Sequence, residues 1–268
     1  MAKLQDDGLI LRRSPFGESS LVVQVLTRNH GRVHFTAKGA YRATSGYAFV
    51  LDLFHTISLE WSHATRRELQ YLGRADLARR REGLSGRPDV YRGALMMLEL
   101  IELAARPGAA DRNLFELAEH GLEELVQHPS STHGVDRTLI LFELRFLEHL
   151  GLSPALERCA ACGEPAPAFS PARGGAAGGA RVGFSAAVGG RLCSPCANEA
   201  RTSGKRVGTL PVDVLDTAAG LWRGNPIESN PELLVRVRDA IERFLNYHLE
   251  TRPRSQRAFL AVPNRNAP

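Results

Sequence analysis

The residues best placed to do chemistry are four cysteines in two pairs, Cys159-Ala160-Ala161-Cys162 and Cys193-Ser194-Pro195-Cys196. The two-residue spacing lets adjacent thiolates turn toward one ion. Four thiolates satisfy the tetrahedral preference of Zn²⁺ and leave no open position for water. The pattern predicts a structural zinc held by Cys159, Cys162, Cys193 and Cys196. Gly163 follows the first pair and allows the tight turn such a knuckle needs. The 30 residues between the pairs exceed the common zinc-ribbon spacing. The Gly/Ala-rich stretch 174–180 (GGAAGGA) absorbs the excess as a loop, because loop length is thermodynamically cheap. Two disulfides are the alternative. The N-terminal residues MAKLQDDGLILRR carry neither an apolar signal core nor a small-residue cleavage site, so a reducing, cytoplasmic compartment is expected and disulfides are disfavoured. A catalytic zinc fails on detail. The deaminase pattern needs His-x-Glu ahead of Pro-Cys-x-x-Cys, whereas His248-Leu249-Glu250 follows both pairs and no proline precedes either.

A second set of residues suits phosphate chemistry without catalysis. Arg12, Arg13, Arg28, Arg32, Lys38, Arg42, Arg66, Arg67 and Arg74 are interleaved with Phe35, Tyr41, Tyr47 and Trp61. Small barrels bind nucleic acid by combining a basic groove with aromatic stacking platforms. Lys38, Tyr41 and Arg42, beside a loop glycine, are the leading candidates, with Arg66 and Arg67 at a tight turn. Phe35 alternates with His34 and Thr36 and belongs in the core. Glu116, Glu119, Glu123 and Glu124 share a helix and read as a solvated face or an acidic docking surface. There is no phosphate loop of the GxxxxGK[ST] type, no GxGxxG after a strand and no Gly-x-Ser-x-Gly. The nine histidines form no metal-spaced set. No nucleophile, base and orienting group can be named together, so a hydrolase is the weakest reading.

The elements that must carry these residues change character along the 268-residue chain. Residues 8–13, 21–27, 32–38, 49–61 and 66–76 have strand composition, with residues 14–18 breaking the first. About five short strands joined by turns predict a small closed or partly open barrel, since closure removes exposed edges. After a basic joint at 77–86 the period turns helical, over 88–105, from Asp111 to about 127, over 134–150, over 211–223, and from Asn230-Pro231 to about 249. Net charge is +5 over the whole chain. It is +5 for 1–80, −6 for 81–157 and +6 for 158–268, a layout that suits a polyanion at the ends. Arginine outnumbers lysine 31 to 3, which coding bias explains as well as function does. No apolar run reaches the roughly 18–20 residues that span a bilayer.

In order, the chain carries 9–13, Gly17-Glu18-Ser19-Ser20, Leu26-Thr27, Gly31, Ala37-Lys38-Gly39-Ala40, Leu51-Asp52-Leu53-Phe54 and Arg67-Glu68-Leu69. There follow a long helix from Tyr91 to Glu102, the two cysteine pairs, residues 244–249 and Arg254-Ser255-Gln256-Arg257. In this order, and over nearly its whole length, it resembles the RecO family of bacterial DNA repair proteins, the recombination mediators. The long Gly/Ala insert between the cysteine pairs departs from the family pattern. The resemblance implies an N-terminal OB-fold, a helical domain and a zinc-bearing segment. It implies binding of single- and double-stranded DNA, strand annealing, and help in placing RecA on DNA coated by single-strand-binding protein. It also implies RecR and the acidic C-terminal tail of single-strand-binding protein as partners. A groove for that tail would draw on Arg236, Arg238, Arg243 and Arg252 with Leu233, Val237, Phe244 and Leu245, at least half of these apolar positions being core.

The expected fold is therefore α+β and multidomain. It comprises an OB-fold barrel at 1–80, a helical domain at 81–157 and 207–252, an inserted four-cysteine zinc segment at 158–206, and a flexible tail at 253–268. The expected function is a non-enzymatic, cytoplasmic and nucleoid-associated DNA-binding mediator, with DNA contacts at Lys38, Arg42, Tyr41, Arg12, Arg13, Arg28, Arg66 and Arg67. The rival is a zinc-ribbon nucleic-acid regulator that reads base sequence and does not anneal strands.

Overall fold

β-Branched and apolar residues at alternate positions in the first third face a common interior. The computed structural model describes residues 2–42, 44–47, 49–127, 132–169, 179–225 and 230–250. In it, β1 (Ala2–Phe16), β2 (Ser20–Thr27), β3 (Gly31–Ala37), β4 (Thr56–His63) and β5 (Leu69–Arg79) close into a barrel of order β1-β2-β3-β5-β4. Every pairing is antiparallel except β3 with β5, which runs parallel over His34–Leu69, Phe35–Gln70 and Thr36–Tyr71. Val23, Val25, Phe35, Ile57, Leu59 and Trp61 fill the interior. Phe35 and Trp61 meet edge to face with centroids 5.4 Å apart.

Two strand expectations are corrected. The break expected at residues 14–18 comes later: β1 runs on to Phe16, and the turn starts at Gly17. The strand pairs with β4 up to Leu9 and with β2 onward to Phe16, and Pro15 is tolerated where no second neighbour needs its N–H. Residues 49–55 are not strand. Part of the segment covers the barrel core instead: Leu51 belongs to the core, with Val50, Leu53 and the preceding Tyr47 packed against it, while Phe49 is exposed. A left-handed Phe54 (φ 69°) lies just before β4.

Packing, rather than element type, divides the chain. Residues up to 129 form one compact unit and residues 130–252 a second. In the first, α1 (Pro88–Ala104) and α2 (Arg112–Gln127, capped by Asp111) pack with the barrel. The junction is polar and buried. Arg81, its side chain 1% exposed, donates to the Phe54 carbonyl (2.6 Å) and the Thr56 hydroxyl (3.0 Å) and pairs with Glu119 (2.8 Å). Glu119 also pairs with Arg79 at 3.6 Å, so this carboxylate is a strut within the unit and not part of a free acidic face. Arg32 donates to the Glu102 carbonyl at 3.0 Å, and Arg112 to the Asn29 side chain at 2.6 and 2.9 Å.

The second unit holds α3 (Thr132–His149), β6 (Arg181–Ser185), β7 (Gly190–Leu192), α4 (Ser194–Thr202), β8 (Gly208–Pro211), α5 (Val212–Trp222) and α6 (Pro231–Leu249). Asn230 caps α6 through a bond from the Leu233 N–H (2.9 Å), with Pro231 in the first turn, as its sequence predicts. The strands form a sheet of order β7-β6-β8, which cysteine spacing and a Gly/Ala loop do not by themselves reveal. α6 packs on α3 and α5. Between α3 and α6 the buried Arg238 meets Asp136 at 3.1 Å. Burial pushes the Glu143 carboxyl up to about 8; Arg238 opposes this, and Glu242 and Asp136 add to it. Arg238 is therefore a core ion-pair partner and not a surface cation. Residues 170–178 of the expected loop, the stops at His128-Pro129 and Pro226, Arg252 and the tail at 253–268 lie outside the described residues.

Removing one member of a buried pair strands the other. Arg81→Ala is expected to cost about 3–5 kcal/mol of stability. Denaturant unfolding should show it as a lowered midpoint, with Arg80→Ala, at an exposed neighbour, near wild type.

Candidate nucleic-acid interface and metal centre

Three features of β5 and its neighbours make one basic face. The first is the β4–β5 turn, closed by the Arg67 N–H donating to the Ala64 carbonyl at 3.0 Å. The buried Gln70 side chain braces it by accepting from the Ala64 N–H (2.9 Å) and donating to the Ala64 carbonyl (3.0 Å) and the Arg67 carbonyl. Arg66 and Arg67 stand exposed on this turn. The second is Tyr71, which the parallel β3–β5 ladder sets beside Thr36. Lys38 Nζ lies 4.5 Å from the Tyr71 ring centroid, and the Arg67 guanidinium 5.2 Å from it. The third is a bulge. Leu72 faces Trp61 and Arg74 faces Glu60, so Gly73 is the extra residue and Gly73 and Arg74 are both exposed.

An open cleft of about 470 Å³ runs between β5 and the β3–β4 loop, lined by Lys38, Arg42, Tyr47, Gly73, Arg74 and Ala75 among others. Tyr47 donates its hydroxyl to the Gly73 carbonyl at 3.2 Å, and burial raises its pKa. The loop is held from both ends. The Tyr41 N–H donates to the Ser19 carbonyl (3.1 Å), and Arg13 donates to the Leu51 carbonyl (3.3 Å) and the Asp52 carboxylate. Arg74 pairs with Asp76 at 2.7 Å within the cleft.

The structure thus brings Lys38, Arg42 and Arg67 onto one face, with Arg66 next to them, and leaves Tyr41 half-exposed on the adjoining loop. Arg12, Arg13 and Arg28 are engaged elsewhere. Arg12 lies 3.9 Å from Glu102, Arg13 anchors the loop, and the Arg28 guanidinium sits 5.1 Å from the Phe115 ring centroid. Phe35 and Trp61 are core, not platforms. Sequence reasoning misses Tyr71 and Gln70. The available signal is that Tyr71 alternates with the buried Gln70 and Leu72; the two cations beside it come from separate turns.

The cysteines are brought together by strand pairing. The backbone around Ala155 pairs in parallel with Gly190, the Ala155 N–H donating to the Gly189 carbonyl (2.9 Å) and the Arg191 N–H to the Ala155 carbonyl (2.8 Å). A Cβ on Gly190 would lie 2.4 Å from the Ala155 oxygen, and φ there is +139°, so only glycine fits. The Gly163 N–H closes the first knuckle onto the Cys159 carbonyl at 2.9 Å. Cys193 follows β7 and is the N-cap of α4, and Cys196 lies in that helix's first turn. The buried Arg191 clamps both flanks of the first knuckle. It donates to the Leu156 carbonyl (3.3 Å) and twice to the Ala166 carbonyl (2.8 and 3.0 Å), and it reaches Asp216 at 3.2 Å.

The four sulfurs all lie within 4.8 Å of one another, with Cys162 and Cys193 3.9 Å apart. An ion about 2.3 Å from each of four tetrahedral thiolates sets them about 3.8 Å apart, so the donor set fits a thiolate-bound tetrahedral metal. Burial opposes ionisation of Cys159, but hydrogen bonds from the backbone of Cys193, Cys162 and Ala161 hold its thiol down to about 6. Cys196 is pushed up, chiefly by its contacts with the Cys193 and Cys162 sulfurs. The cluster therefore shares protons that a cation would displace.

A closed barrel of this strand order, with a basic cleft and a separate four-cysteine module in a helical unit, defines an OB-fold protein with an inserted metal-binding segment. Models of the N-terminal and C-terminal parts of recombination protein O match residues 1–81 and 87–257. A DNA repair protein RecO of Myxococcus xanthus is 30% identical over 95% of this chain and 96% of its own. Those of Desulfatibacillum aliphaticivorans (28%) and Anaeromyxobacter sp. strain K (30%) each cover 96% of both chains. The chain belongs to the RecO family of DNA repair proteins. No helix among the described residues is long and apolar enough to cross a membrane.

Gly190→Ala is expected to lower the thermal midpoint sharply and speed reaction of the cysteines with a thiol reagent, because a backbone carbonyl blocks the new methyl. Gly163→Ala has open space around it and carries only the left-handed backbone penalty, about 1–2 kcal/mol.

Proposed function

We propose that this protein is a non-enzymatic recombination mediator. It binds single- and double-stranded DNA on the barrel, anneals complementary strands, and helps RecA load on DNA coated by single-strand-binding protein. The observation that carries this reading is the basic cleft in which Lys38 and Arg42 meet Tyr47, Gly73 and Arg74, with Arg66 and Arg67 on the adjoining turn. Cations on a concave face neutralise phosphates and release their counterions. The mechanism is scaffolding: two strands held on one positive surface repel each other less and pair sooner. RecR and the acidic tail of single-strand-binding protein are the proposed protein partners, and the cytoplasm the proposed compartment. Arg243 and Arg236 remain exposed on α6 as cations for that tail, whereas Arg238, Val237, Phe244 and Leu245 are buried. We assign Zn²⁺ to Cys159, Cys162, Cys193 and Cys196, since soft thiolates in a closed tetrahedral set select it. The ion supplies structure, not reaction chemistry.

Annealing of complementary labelled single strands, with and without single-strand-binding protein, tests the reading. Wild type should accelerate annealing, less so as salt rises. Lys38→Glu with Arg42→Glu should abolish the acceleration. Each phosphate of a single strand that the variant no longer neutralises should make the slope of log affinity against log salt shallower by about 0.7. Tight binding without annealing would instead support the sequence-reading regulator.

Cys196→Ser is expected to leave less than one Zn²⁺ per chain by metal analysis and to lower the thermal midpoint. Oligonucleotide binding by the folded fraction should persist, because the cleft draws no residue from the cysteine module.

A further inference from the structure

Tyr71 occupies an unusual place on the barrel. It is a large aromatic 45% exposed near the start of β5, paired on both sides, so the ring is not needed to fill the core. Lys38 and Arg67 reach over its ring from separate turns, at 4.5 and 5.2 Å from its centroid. The cleft beside it carries little bulk at two points: the bulged Gly73 has no side chain, and Ala75, opposite Leu59 and packed against the barrel core, is small, while Arg74 and Asp76 take the exposed side of β5. Gly73 and Ala75 also line the cleft that holds Lys38, Arg42 and Arg74. An aromatic ring thus stands next to a bulge that carries no side chain, at the edge of a cleft where Lys38 and Arg42 are joined by the Arg74–Asp76 pair.

Phosphates need only the cations. A ring beside a bare bulge serves a flat apolar partner, and the flat apolar part of a nucleic acid is the base. In a duplex the base faces are already stacked on one another and cannot lie on the ring; in a single strand they can. We propose that Tyr71 is a base-stacking platform that selects single-stranded DNA, the base displacing Lys38 and Arg67 from over the ring onto the neighbouring phosphates. This rests on the barrel's being the DNA-binding surface. Duplex DNA uses the same cations without the ring, so one cleft accepts both forms with different contacts.

The test compares Tyr71→Leu and Tyr71→Phe with wild type in the full-length protein, on three probes of equal length: an oligothymidylate, an abasic oligonucleotide and a duplex. Binding is followed by fluorescence anisotropy at fixed low salt. Tyr71→Leu should bind the oligothymidylate about ten-fold more weakly while matching wild type on the abasic strand and the duplex. Tyr71→Phe, which keeps the ring, should restore oligothymidylate binding. An equal loss by Tyr71→Leu on all three probes would overturn the proposal, because the ring would then act only by orienting Lys38 and Arg67. Unchanged binding on all three would overturn it as well. If wild type bound none of the probes, the barrel's DNA-binding reading itself would fail, and the platform with it.

Discussion

Three residue pairs close the barrel. The parallel ladder of His34–Leu69, Phe35–Gln70 and Thr36–Tyr71 is the shortest strand contact in the barrel and the one that leaves it without open edges. Its register does more than seal the cylinder. It buries Phe35 against Trp61, turns Gln70 inward to brace the β4–β5 turn, and turns Tyr71 outward beside Lys38, which follows two residues after Thr36. A slip of one residue would exchange inward and outward side chains along β5. It would expose Gln70, bury Tyr71 and dismantle the cation pair around the ring. The basic face is thus a consequence of barrel closure and not an addition to it.

The second unit solves a similar problem by other means. Its cysteine pairs lie far apart in sequence, and a single close backbone approach at Gly190 sets them face to face. Arg191, the next residue, fixes the first knuckle by bonding carbonyls on both of its flanks. A guanidinium suits this task because its planar fork reaches several acceptors at once without losing its charge. The sulfurs already stand within 4.8 Å of one another, close to the spacing a thiolate-bound ion requires. Metal binding then locks an arrangement that backbone and arginine have set.

Buried charge is used sparingly and at joints. Arg81 with Glu119 ties β4 to α2, and Arg238 with Asp136 ties α6 to α3. Such pairs add little net stability over apolar packing, but breaking one is costly. The cations of the proposed DNA face are exposed instead, where phosphate can reach them.

Features whose physics is local were legible in the chain before it folded. Cysteine spacing predicted the donor set, because two residues between thiols is a property of one turn. Strand and helix content followed from alternation and caps, as with Asn230-Pro231 and Asp111, and the order of short motifs carried the family. Features that depend on distant partners were settled only by folding. Residues 49–55 read as strand because they are apolar, yet Leu51, Val50 and Leu53 pack on the barrel core from a loop; composition does not report backbone direction. Arg12, Arg13 and Arg28 read like Lys38 and Arg42, but they lie outside the cleft, beside Glu102, Asp52 and Phe115. Glu119 reads as a solvated helix face until Arg81 reaches it. Tyr71 looks like one more strand aromatic, and only the closing ladder, joining residues some 35 positions apart, sets it between two cations. Side-chain chemistry is written in the sequence, whereas which charge meets which is fixed by barrel closure and by the packing around it.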